Sequence, residues 1–186
     1  MERTIEVPAR IAGDRVLLRP LERRDVPAFA KAFEDDPELG PAWGVEADPD
    51  GEWLAERVER ASTLAAEGRG VELAIADRGS DELLGSVTLH SIDWRHQRGE
   101  VGFWLAPAAR GRGVATEGVG LFVNWAFSDV GLHRVEMITL PALPNFASVL
   151  ALAKRLGFRQ EGVMRERNLE RGRRYDTMVL AVLRAE

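Results

Sequence analysis

Hydrophobic positions along the chain fall into two textures, helical spacing and short β-rich runs. In DPDGEWLAERVERASTLAAEG the apolar Trp53, Leu54, Val58, Ala61, Leu64 and Ala65 recur at the interval of an amphipathic helix, with Gly68 as its stop. Upstream, RVLLRPL ends at Pro20 and reads as a strand near a sheet edge. VPAFAKAF then reads as a helix that Asp25 caps, with Pro27 tolerated in the first turn. VELAIA (71–76) and LLGSVTLHSI (83–92) flank the polar DRGSDE as a hairpin, and GEVGFWLA (99–106) is a further strand. A glycine-rich loop leads into a strongly apolar helix with Val114, Val119, Leu121, Phe122, Trp125, Ala126 and Phe127, ended near Gly131. HRVEMITL (133–140) is a strand stopped by Pro141 and Pro144, and residues 148–156 are helical up to Gly157. FRQEGVMRER and RRYDTMVLAVL close the chain as two strands joined at Gly172. This order of strand, two helices, three strands, helix, strand, helix and two strands predicts an α/β layered protein with a mixed sheet.

Composition narrows the chemistry. With 186 residues and 45% hydrophobic content, one domain over 1–186 is expected, residues 1–10 forming an N-terminal tail. The net charge is −5, from 30 acids against 25 bases, so nucleic-acid binding driven by bulk positive charge is not expected and any anion must be caught locally. There is no cysteine, which removes disulfides, a thiol nucleophile and thiolate metal sites. His90, His96 and His133 lack the short spacing of a ligand pair, so no metal is expected. MERTIEVPARIAGDRV has no apolar h-region and no run approaches the ~20 apolar residues of a membrane span, so the expectation is a cytoplasmic protein with no membrane segment. One stretch stands out: residues 34–52 hold eight acids, no Lys or Arg, and Trp43.

The loop APAARGRGVATEG (106–118) has four readings. A P-loop needs a Gly-Lys-Ser/Thr ending, whereas Gly118 is followed by Val119 and Gly120. A dinucleotide fingerprint needs a third glycine where Thr116 stands. The other two stay open on the residues alone. Gly113 bends the chain into the helix beside solvated arginines, or the unpaired N–H groups at the helix start cradle a pyrophosphate with Arg110 and Arg112 nearby.

The longer stretch EVGFWLAPAARGRGVATEGV resembles the acetyl-CoA motif of the Gcn5-related N-acetyltransferases (GNAT): Arg or Gln, two residues, Gly, one residue, Gly or Ala, matched by Arg110, Gly113 and Ala115. PNFASVLALAKRLGFRQEGVMRER and GRRYDTMVLAVL are similar to the RimJ/RimL-like branch, which acetylates ribosomal-protein N-termini; the resemblance runs from about Arg15 to Leu183. It implies the GNAT fold, a mixed, mostly antiparallel central sheet of about seven strands with helices on both faces and a splayed cofactor cleft. It also implies that the amides of Gly111, Arg112, Gly113, Val114, Ala115 and Thr116 hold the CoA pyrophosphate, with Arg110 and Arg112 offsetting its charge. The backbone of Phe103, Trp104 and Leu105 would pair with the pantetheine arm, while one of Phe103 and Trp104 packs in the core.

The implied reaction is direct attack of an amine on the thioester of acetyl-CoA. Glu100 occupies the place of the general base in histone-acetylating relatives, and an N–H near Leu105 would meet the oxyanion. Free α-amines have a pKa near 8, so on the order of a tenth are neutral at pH 7, and an N-terminal acceptor asks little of a base. The tyrosine with which many relatives protonate the thiolate would fall at Leu152 or Ala153 and is missing. The branch suggests Asn145 on the pantetheine and Ser148 at the sulfur instead, although 145–157 is one residue longer than usual; the rival role for Ser148 is a helix N-cap. Tyr175, the only tyrosine, reads as a core residue of a strand. The acidic stretch around Trp43 would face the acceptor, favouring a cationic amine: a protein N-terminus, or a small molecule such as a polyamine or aminoglycoside. A CoA-binding module without turnover is the alternative of another class, and a homodimer is common in the resembled family.

Overall fold

Period-two burial along the strands sets the layers of the molecule. The computed structural model describes residues 3–36, 39, 51–170 and 172–184. Its elements are β1 (Ile11–Ala12), β2 (Val16–Pro20), α1 (Val26–Asp35), α2 (Gly51–Ala66), β3 (Val71–Asp77), β4 (Leu83–Asp93) and β5 (Arg98–Leu105). α3 (Val114–Ser128), β6 (Arg134–Thr139), α4 (Phe146–Arg155), β7 (Arg159–Glu170) and β8 (Arg173–Leu183) follow. Among the described residues one eight-stranded sheet runs in the order β1-β2-β3-β4-β5-β6-β8-β7. Every neighbouring pair is antiparallel except β5 with β6. The sequence predicts seven of these strands. β1 has only two residues, too few for any periodicity to reveal.

Alternate residues of the strands go to opposite faces. Leu73 and Ile75 of β3, Val87 and Leu89 of β4 and Val101 of β5 join Val119, Phe122 and Ala126 of α3 and Leu152 and Ala153 of α4 in the larger core. On the other face Ala74, Leu83 and Trp104 meet Phe29 and Ala32 of α1 and Leu54 and Val58 of α2. Helices therefore cover both faces. Phe122 is fully buried, and burial of such a side chain contributes about 2–3 kcal/mol. No described helix is long and apolar enough to cross a membrane.

Two local expectations change. Asp25 does not cap α1: its side chain makes no bond to the helix N–H groups. Its carboxylate instead accepts from Arg19 Nη1 and Nη2, both at 2.8 Å, and from the Glu22 N–H at 2.9 Å. An arginine buried within a strand outbids the helix terminus for that carboxylate, because an unpaired buried cation is costly. The N-terminal stretch is also tied down from Arg3 onward. The Ile5 N–H donates to Ala65 O at 2.9 Å with Ile5 buried, and the Arg3 guanidinium lies 5.5 Å from the centre of the Trp94 ring.

Candidate active site

β5 and β6 pair in parallel only over Arg98–Arg134, Gly99–Val135 and Glu100–Glu136. Beyond Glu100 each strand stays with its other neighbour, β5 with β4 as far as Leu105 and β6 with β8 as far as Thr139. The two strands thus fork, and Glu100 stands at the apex. A cavity of about 1090 Å³ fills the fork and runs from the glycine loop to α2 and β7. This is the splayed cleft that the resemblance implies.

The loop that closes one end is built by backbone chemistry. Gly111 (φ 73°) and Gly113 (φ 81°) occupy the left-handed region, where a Cβ is strained. The first hydrogen bond of α3 runs from the Glu117 N–H to Gly113 O at 3.1 Å, so the N–H groups of Val114, Ala115 and Thr116 precede the helical ladder. Those three residues, with Gly111 and Gly113, line the cavity. A helix N-terminus so exposed favours an anion. The Glu117 carboxylate turns back to accept from the Asp14 and Arg15 N–H groups, at 2.5 and 2.9 Å, and Arg15 Nη1 donates to Arg112 O at 3.3 Å. The β1–β2 turn is thereby braced against the loop.

The two arginines take other positions than the motif suggests. Arg110 Nε and Nη2 donate to Leu105 O at 3.1 and 3.0 Å, and Nη2 lies 2.6 Å from the Asp36 carboxylate. Its charge is committed to the end of β5 and to the acidic stretch, so Arg110 is a brace of the loop rather than an unpaired counter-charge. The Arg112 side chain lies on the far side, in a separate cavity of about 560 Å³ with Arg15, Arg78 and Asp77. The amide cradle itself, the glycines that open it and the unzipped strand edges fit the diphosphate and extended arm of CoA. Among the described residues no group of three or more His, Asp or Glu could hold a metal ion.

The floor of the cleft is polar. Register pairs Ser86 with Trp104, Thr88 with Gly102 and His90 with Glu100, which puts all six on one face. Trp104 meets Phe29 edge-to-face, with 4.6 Å between ring centres, and is buried against α1; Phe103, on the opposite face, is half-buried against the larger core. Both cleft-lining aromatics therefore also pack. The Glu100 side chain is 20% exposed, and burial pushes its carboxyl above the usual range, with Glu136 adding to the rise and Arg167 opposing it. His90 Nε2 lies 3.8 Å from Glu100 Oε1, and burial lowers the pKa of the imidazole. Buried Glu72 accepts from Ser86 Oγ at 2.7 Å and faces Arg57 Nε at 3.1 Å. Thr88, His90 and Glu72 escaped the sequence reading. The signal was present in β4: polar 86, 88 and 90 alternate with Val87 and Leu89.

On the opposite wall, Asn145 is the N-cap of α4 and Ser148 its third residue, so Ser148 is not the cap. Both are exposed and line the cavity. Of the two places where a tyrosine is missing, Leu152 lines the cavity and Ala153 is fully buried. Tyr175 is half-buried beneath the Arg173 guanidinium, 5.2 Å from the ring centre, and outside the packed core. The reading of an acidic mouth around Trp43 lies outside the described residues, apart from its first members up to Asp36, and Leu39, Gly51 and Glu52. Of the residues singled out from sequence, Glu100, Phe103, Trp104, Leu105, Arg110, Asn145, Ser148 and the loop members other than Arg112 share the one cavity.

The sequence and the fold both have counterparts among known proteins. The model of the acetyltransferase (GNAT) domain family matches residues 15–159. The "Uncharacterized N-acetyltransferase YoaA" of Bacillus subtilis (strain 168) is 30% identical over 171 residues, covering 92% of this chain and 94% of that protein. Among solved structures, the ribosomal L7/L12 alpha-N-protein acetyltransferase RimL in complex with CoA is 18% identical, with a TM-score of 0.79 over 94% of this chain and 97% of that one. The microcin C7 self-immunity acetyltransferase MccE, in complex with acetyl-CoA and AMP, is 17% identical with a TM-score of 0.79 over 92% and 93%.

Proposed function

Since the chain belongs to the GNAT acetyltransferase family and is an acetyl-CoA-dependent N-acetyltransferase, we propose that its acceptor is a protein N-terminal α-amine. The observation that carries this reading is Glu100 at the apex of the fork, a partly desolvated carboxylate whose pKa burial raises. Such a base suits an α-ammonium of pKa near 8; a lysine near 10.4 would hold its proton about two units more tightly. The fold shared with RimL, a ribosomal L7/L12 alpha-N-protein acetyltransferase, agrees with it.

In this proposal the chain 1–186 acts as one catalytic domain. The N–H groups from Gly111 to Thr116 hold the diphosphate, and the free edge of Phe103, Trp104 and Leu105 and the Asn145 side chain hold the pantetheine arm. Glu100 takes the proton of the ammonium, the amine nitrogen bonds the thioester carbon, and the C–S bond breaks. Ser148 donates toward the departing sulfur. A CoA-type thiol has an ordinary pKa near that of cysteine, so this donor need only be weak, and alignment of the two substrates supplies much of the rate.

Release of CoA thiol, measured with acetyl-CoA against N-terminal peptides, polyamines and aminoglycosides, tests the acceptor. Peptides are expected to turn over fastest. A small amine outrunning every peptide would move the assignment to small-molecule acetylation, a reading the equal likeness to MccE keeps in the panel. Glu100→Gln is expected to lower kcat about 10- to 100-fold near neutral pH and much less near pH 9, where the α-amine is already neutral. Because the folded pKa of Glu100 is raised, the wild-type rate falls as pH drops through that raised value, and the variant loses this acid limb. An unchanged pH profile would remove Glu100 as the base.

A further inference from the structure

We infer that the acceptor amine is received over Gly102 and that its proton leaves through Glu100 to His90. The inference rests on the reading of Glu100 as proton acceptor and adds the pocket and the exit path. Gly102 interrupts the polar row of the cleft floor two residues past the apex of the fork. A Cβ at this position would stand 3.0 Å from Thr88 Oγ1 and 3.6 Å from His90 Nε2, so the missing side chain leaves a gap bordered by a hydroxyl and an imidazole. Glu100 is the next residue of β5 on the same face, and all four residues line the cavity. The Thr88 hydroxyl is held by Gly102 O at 3.3 Å, which leaves its own lone pairs for an N–H donor. A primary ammonium brings three N–H groups, and hydroxyl oxygen and carboxylate are acceptors for them.

The path outward follows exposure. The Glu100 side chain is 20% exposed and that of His90 46%, with 3.8 Å between Oε1 and Nε2, a gap that one bridging water or a small side-chain rotation closes for proton transfer. Glu100 is therefore the inner member and His90 the one that meets solvent. Among the described residues Glu100 is the carboxylate within ion-pair reach of His90; the other ring nitrogen, Nδ1, lies 3.1 Å from Ser91 Oγ. Partial burial lowers the pKa of the imidazole, which favours its unprotonated form and makes it quick to hand a proton on to water. The surrounding charges are Glu136 of β6, held by Arg98 and Arg134; Arg167 of β7, whose charge reaches Glu100; and Glu72 of β3 with Arg57 of α2. Arg60 of α2 also lines the cavity.

The balance is simple. The ammonium gives one proton to Glu100, the neutral nitrogen forms the C–N bond as the C–S bond breaks, and the nitrogen's second proton follows the same path. His90 passes these protons on to water, the departing sulfur takes one back through Ser148, and one proton is released net. His90 borders the amine gap but bonds neither the reacting nitrogen nor the thioester; it acts through Glu100 as a positioning and relay residue.

Steady-state kinetics with an N-terminal peptide, from about pH 6 to about pH 9, tests this alongside calorimetric titration of acetyl-CoA into each variant. His90→Gln is expected to lower kcat about 10-fold at and below neutral pH, with acetyl-CoA affinity within about twofold of wild type. Added imidazole should restore most of the rate to His90→Ala, which a purely structural role would not allow. Gly102→Ala should raise the acceptor KM about 10-fold while acetyl-CoA affinity holds, since its methyl enters the amine gap and not the diphosphate loop. A wild-type pH profile in His90→Gln, or loss in His90→Ala that imidazole leaves untouched, overturns the relay. Unchanged acceptor KM in Gly102→Ala overturns the pocket. If Glu100→Gln is impaired while His90→Gln is not, the relay alone fails; if both are silent, the reading of Glu100 fails with it.

Discussion

Ala115→Glu is expected to abolish acetyl-CoA binding while leaving the chain as stable as before. Ala115 is the second residue of α3 and lines the cavity beside the free N–H groups of Val114 and Thr116. A glutamate there supplies its own carboxylate to the cradle, and an acid in the first turn of a helix is favourable by a few tenths to about 1 kcal/mol. The arriving diphosphate would meet a like charge. At about 4 Å and an effective dielectric near 20, the repulsion is about 4 kcal/mol, close to a thousandfold in affinity. Isothermal titration with acetyl-CoA and urea unfolding of the same sample check both halves. Gly113→Ala should show the converse: its φ of 81° makes a side chain strained by about 1–2 kcal/mol, so stability falls, yet with no new charge the affinity should change only a few-fold. Retention of tight binding by Ala115→Glu would move the diphosphate away from this loop.

The contrast between these neighbouring positions shows what the chain discloses in one dimension. Glycines at 111 and 113, followed by an apolar helix, announce a left-handed turn into a helix start, and the structure has that turn. Strand and helix order was equally legible, because each element carries its own period and its own stop, such as Gly68, Gly131 and Gly157, all with positive φ. What could not be read is any property that depends on partners distant in sequence. The fork between β5 and β6 exists because β6 pairs with β8, 39 or more residues further on, rather than with the rest of β5. Arg110 looks like an anion ligand beside glycines, yet its committed partners are Leu105 O and Asp36, the latter at the C-terminal cap of α1 and more than seventy residues away in sequence. The polar row of Ser86, Thr88 and His90 was in plain sight, but a two-faced strand becomes a cleft floor only once Glu100 and Gly102 are paired to it.

Asp25→Ala is expected to cost about 3–5 kcal/mol of stability. Arg19 and Asp25 are each 3% exposed and joined by two bonds of 2.8 Å. Removing the carboxylate leaves the guanidinium buried, with Asp81 as its remaining carboxylate, 2.8 Å from Nε, and the Pro20 and Asp81 carbonyls at 3.1 Å. It also strips the Glu22 N–H of its acceptor at the entrance to α1. For a chain of this length such a loss lowers Tm by about 10 °C, which thermal and urea unfolding would register together. The paired replacement Arg19→Met with Asp25→Leu should recover most of it, since apolar packing in place of a buried ion pair is often neutral or better. That recovery decides what the pair is for. If stability returns but acetyl transfer does not, the ion pair sets the direction in which α1 leaves the sheet and so the position of Asp36, which grips Arg110 at the loop. If both return, the pair is a packing solution and the cleft is held by the strand fork alone.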